Sequence, residues 1–68
     1  MISENWIQVY SSSQLFEAEL IQGLLEEHGI ESVILNQQDS AYLFGEVKLY
    51  VAAESAFSAK QLILKHSE

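Results

Sequence analysis

A chain of 68 residues has room for one hydrophobic core and no second domain, and at this size it buries only about 60% of the surface its unfolded form exposes. Ten acidic residues against three lysines and no arginine give a formal net charge of −7, which repels nucleic acid and anionic membrane surfaces alike. The composition contains no cysteine, so disulfides and thiolate metal sites are excluded, and burial against a partner or a second copy is the expected aid to stability.

The hydrophobic fraction of 49% is too high for disorder at this charge. No run of membrane-spanning length occurs, and the first ten residues lack the basic start and apolar stretch of a signal peptide, so the expected compartment is the cytoplasm.

Residues 6–10 alternate and are rich in strand formers, with Ile7 and Val9 on one side and Trp6, Gln8 and Tyr10 on the other. Ser11, Ser12 and Ser13 then offer helix caps, and Ser11 with Gln14 has capping-box spacing. The helix they open carries a stripe of Leu20, Ile21, Leu24 and Leu25, extended by Phe16 and Ala18. It is expected to stop at His28-Gly29-Ile30, where glycine can take the left-handed conformation and Ile30 can fold back onto Leu25 as in a Schellman motif.

A second strand over residues 32–36 is predicted to place Val33 and Leu35 on one face and Ile34 on the other, and the polar run Asn36-Gln37-Gln38-Asp39-Ser40 ends it. Residues 47–51 alternate again, Val47, Leu49 and Val51 inward and Lys48 and Tyr50 outward. A last helix over residues 54–66 has the stripe Ala53, Ala56, Phe57, Ile63 and Leu64, with an acid in its first turn and Lys65 and His66 in its last.

The order β-α-β-β-α with a right-handed crossover predicts an α+β fold over the single domain 1–68. It is a truncated ferredoxin-like arrangement: a three-stranded antiparallel sheet of order 2-3-1 with both helices on one face. Lacking the fourth strand, such a sheet leaves the outer edge of residues 6–10 with unpaired backbone groups.

The segments Glu17-Ala18-Glu19-Leu20-Ile21 and Leu24-Leu25-Glu26-Glu27-His28-Gly29-Ile30-Glu31, and residues 47–51 followed by an alanine-rich helix, resemble a family of small bacterial domains. Its members are labelled putative prokaryotic signal-transducing proteins. The resemblance implies a ferredoxin-like fold and likeness to the PII nitrogen-signalling proteins, whose subunits trimerise and present a long loop between the second and third strands. A long connection occurs here too, at residues 36–46, where hairpins usually need two to five residues. It contains no Lys or Arg, and Gly45 stands alone, so nucleotide binding of the PII kind is not expected and no cofactor is implied.

Glu17 falls near the middle of the first helix's stripe, either in the first turn beside free N–H groups or as a carboxylate aimed at a ligand. His28 is expected to satisfy the last carbonyls of its helix, and no His or acid pair has convincing metal-ligand spacing. None of the serines lies in a nucleophile elbow and Glu26-Glu27 reads as a solvated helix face, so no enzyme activity is expected.

The sheet's second face is the most informative surface, predicted to carry Trp6, Gln8, Tyr10, Ile34, Lys48 and Tyr50. Base stacking would need more cations than Lys48 alone, whereas a protein partner or a second copy fits. The apolar loop segment Ala41-Tyr42-Leu43-Phe44 either covers that face or docks on a partner; Tyr42, Leu43 and Phe44 are counted with the partner-binding residues. The sequence thus points to a non-catalytic, protein-binding or signal-transducing module, expected to be a homo-oligomer and most simply a dimer. The alternative is a sensor holding a small-molecule effector between the loop and Tyr10, Tyr50 and Glu17.

Overall fold

The computed structural model describes residues 5–36 and 45–67. The chain forms β1 (Trp6–Ser12), α1 (Leu15–Glu27), β2 (Ser32–Asn36), β3 (Val47–Ala52), a 3₁₀ turn (Ala53–Ser55) and α2 (Ala56–Ser67). The strands make one antiparallel sheet in the order β1-β3-β2. Among the described residues no strand pairs with the outer side of β1 or of β2.

Both helices pack on the same side of the sheet, and the core lies between them. Leu49 and Val51 of β3 are fully buried against Ile21 and Leu25 of α1, and against Ala56, Ala59 and Ile63 of α2. β3 is central because its strict alternation buries Val47, Leu49 and Val51 and leaves Lys48, Tyr50 and Ala52 only half-buried on the other face. This is the predicted α+β architecture with the predicted strand order.

The helix stop matches its expectation in detail. Gly29 has φ +78°, its N–H donates to the Glu26 carbonyl at 3.0 Å, and the Ile30 N–H donates to the Leu25 carbonyl at 2.9 Å. These are the two bonds of a Schellman motif, and Ile30 lies in the core with Leu25.

The helix start differs. β1 runs on through Ser12, so Ser11 and Ser12 are strand residues, and Gln14 takes the N-cap position without a side-chain bond. Ser12 still serves the junction from one step further out. Its Oγ accepts from the Gln14 N–H at 3.0 Å and donates to Glu17 Oε1.

The helix stripes are narrower than predicted. α1 buries Ala18, Ile21 and Leu25 and leaves Phe16 and Leu20 exposed. α2 buries Ala56, Ala59 and Ile63 and leaves Phe57 and Leu64 exposed, while Ala53 falls in the 3₁₀ turn. Three short strands offer each helix a narrow contact, filled by Ala18, Ile21 and Leu25 in α1 and by Ala56, Ala59 and Ile63 in α2.

Candidate functional site

Cross-strand partners share a face of the sheet, so the register assigns every strand residue to a side. Trp6 pairs with Ala52, Gln8 with Tyr50 and Ser11 with Lys48 in one ladder; Val33 pairs with Tyr50 and Leu35 with Lys48 in the other. The face away from the helices therefore carries Trp6, Gln8, Ser11, Val33, Leu35, Lys48, Tyr50 and Ala52. Among the described residues no element packs on it.

Two residues expected there are on the helix side. The β1 register shifts between Gln8 and Tyr10, and beyond that bulge Tyr10 pairs with Leu49 and Ser12 with Val47, both inward positions. One extra residue, Val9, reverses the alternation, and Val9 and Tyr10 both pack against the core. Ile34 pairs with Leu49 and also packs on the core, so Val33 and Leu35 take the open face that Ile34 was predicted to occupy. With Val33, Ile34 and Leu35 consecutive, alternation alone could not choose the parity. Counting by twos from Ile30 could: Ile30 and Ser32 are buried, and Ile34 follows on the same side.

The site that results is an apolar strip with one cation. Trp6, Val33, Leu35, Tyr50 and Ala52 are half-buried, as is Lys48, and Gln8 is exposed at the β1 edge. A cleft of about 370 Å³ opens beside Trp6, between Asn5 and the turn formed by Ala52, Ala53 and Glu54. Of the predicted contact residues, Trp6, Gln8, Lys48 and Tyr50 share this face. Tyr42, Leu43 and Phe44 lie outside the described residues.

Glu17 is not part of this surface. It sits half-buried in the first turn of α1, on the helix side of the sheet, bonded to Ser12. Tyr10 and Tyr50 point to opposite faces, so the predicted effector cradle of Tyr10, Tyr50 and Glu17 is not assembled. His28 has the role expected of it: its Nδ1–H donates to the Leu24 carbonyl at 3.0 Å. No described helix is long and apolar enough to cross a membrane.

A family model described as "Putative prokaryotic signal transducing protein" matches residues 6–66. No curated protein and no solved structure matches the chain.

Proposed function

The chain belongs to the family of putative prokaryotic signal transducing proteins, and from that premise we propose that it is a non-catalytic cytoplasmic module that transmits a signal by binding a protein partner on its open sheet face. The observation that carries this reading is the composition of the face. Trp6, Val33, Leu35 and Tyr50, drawn from all three strands, form one apolar strip in which, among the described residues, only Lys48 is charged. Aromatic side chains with an aliphatic surround and little charge are the makeup of a protein-interface core, while base stacking on a chain of net charge −7 has no cationic support.

The outer edge of β1 adds to the surface. Trp6 lies on an edge strand, so a partner segment can pair with its backbone while covering the ring.

The test compares the wild-type chain with a Trp6→Glu/Tyr50→Glu double variant, both used as bait for partners from the native host and both screened for thermal shifts with nucleotides and metabolites. The expected result is a partner retained by the wild type, lost by the variant at unchanged circular dichroism, and no thermal shift. A shift of several degrees with one metabolite, using the relation between ligand binding and stability, would instead establish a small-molecule sensor.

A further inference from the structure

The helix layer presents a second surface, on the side of the molecule opposite the open sheet face. With Ala18, Ile21 and Leu25 turned to the sheet, a rotation of about 100° per residue puts Phe16, Glu19, Gly23 and Glu27 on the outward side of α1, with Leu20 beside them. Phe16 is 65% exposed and Leu20 58%. In α2 the same rotation turns Phe57, Gln61 and Lys65 outward, with Leu64 toward the β1 side and Lys60 further round that side, where it lines a cleft with Val9, Ile63 and Leu64. Phe57 is 74% exposed and Leu64 61%. These side chains are far more open than the rings of the sheet face.

Charge divides between the two helices. α1 contains Glu17, Glu19, Glu26 and Glu27 and no basic residue, whereas α2 contains Lys60, Lys65 and His66 and no acid. Among the described residues no carboxylate pairs with Lys60 or Lys65. Gly23, a poor helix former in the middle of α1, has nothing within 4 Å of where a Cβ would lie. No contact among the described residues requires glycine there, and it leaves the outer face of α1 open to close approach.

We propose that the helix layer is self-complementary and forms a two-fold dimer, in which α2 of one copy lies on α1 of the other and the reverse contact repeats by symmetry. Phe57 and Leu64 then cover Phe16 and Leu20, Lys65 faces the outward glutamates of the partner, and Lys60 reaches the rim of the contact from the β1 side. Charge selects this occupant. Two subunits of net charge −7 repel at long range, and pairing each cationic helix with an acidic one offsets that repulsion twice, whereas stacking two open sheet faces brings together two copies of Lys48 and no acid. A single unlike partner matching α2 would be acidic and would leave Phe16 and Leu20 uncovered; a second copy satisfies both helices in one geometry.

The dimer is separable from the partner-binding face proposed above, and sedimentation of the full chain tests it. At about 50 µM and low salt the wild type is expected to be a dimer, and dissociation is expected to rise at least roughly tenfold with Leu64→Glu or with Lys60→Glu/Lys65→Glu, at unchanged circular dichroism. Mixing Lys60→Glu/Lys65→Glu with Glu19→Lys/Glu27→Lys should restore association as a heterodimer, and Trp6→Glu/Tyr50→Glu should leave the dimer intact. A monomeric wild type, or a dimer lost with Trp6→Glu/Tyr50→Glu and indifferent to the helix variants, would overturn the proposal.

Discussion

Tyr10 stands opposite Leu49 across the β1–β3 ladder, two residues beyond Gln8, which stands opposite Tyr50. The bulge at Val9 thus sends two tyrosines of neighbouring strands to opposite faces of one sheet. Tyr10 packs on the core beneath the helices, and Tyr50 belongs to the open face. The two rings are therefore expected to respond differently to truncation. Tyr10→Ser should lower the unfolding free energy by about 2 kcal/mol through lost burial. Tyr50→Ser, which removes no core contact, should lower it by no more than about 1 kcal/mol. Urea denaturation followed by the Trp6 fluorescence reads both, and equal losses would mean that the bulge does not redirect Tyr10.

Gly29 holds φ +78° with open space where a side chain would begin, so a substitution there is resisted by backbone conformation and not by collision. Gly29→Val is expected to cost more than about 1 kcal/mol, since β-branched residues are outliers in this region. Gly29→Asn should cost less, because asparagine tolerates the left-handed conformation. The order of the two urea midpoints is the check. A valine variant as stable as the wild type would remove the Schellman motif as the determinant of the helix stop.

The parts of the fold that were legible in the sequence are those in which one local pattern has one solution. His28-Gly29-Ile30 can end a helix in few ways, and Val47 to Val51 alternates with no competing parity, so both are found where they were expected. The face assignments failed where the pattern was degenerate. Val33-Ile34-Leu35 is apolar on both sides, and a bulge leaves no mark in a strand as uniformly favourable as Ile7 to Ser12. The open face was still identified through Trp6, Lys48 and Tyr50, because β3 fixes its parity and β1 is fixed up to Gln8. The exposed apolar residues of the helices were missed for a related reason. Phe16, Leu20, Phe57 and Leu64 have helical spacing from core residues, but a sheet of three short strands cannot cover so wide a stripe.

Among the described residues Ser32 is the buried polar side chain of the core, inward at the start of β2 beside Val51. Its carbonyl accepts from Gln22 Nε2 at 3.2 Å, but its hydroxyl has no partner among the described residues. An unmatched buried hydroxyl carries its desolvation penalty without return, so Ser32→Ala is expected to be neutral or to stabilise by up to about 1 kcal/mol. Differential scanning calorimetry at fixed concentration measures this. A loss of stability as large as that expected for Tyr10→Ser would show that the hydroxyl is satisfied in solution.

The strand-to-helix junction rests on a bond between Ser12 and Glu17, and this decides what Glu17 is for. Ser12 Oγ accepts a hydrogen bond from the Gln14 N–H and its hydroxyl donates one to Glu17 Oε1, so the carboxylate is engaged with the chain at the point where α1 begins. Its position in the first turn also places its charge at the positive end of the helix dipole. Ser12→Ala removes a donor and an acceptor together and is expected to cost about 1–2 kcal/mol; Glu17→Ala should cost about 1 kcal/mol. If the two side chains stabilise the fold through each other, the double variant will cost less than the sum, with a coupling of at least about 0.5 kcal/mol. A double-mutant cycle in urea gives that coupling directly. Additive losses would release Glu17 from its structural role, and a thermal shift by a metabolite that Glu17→Gln abolishes would assign the carboxylate to a ligand instead.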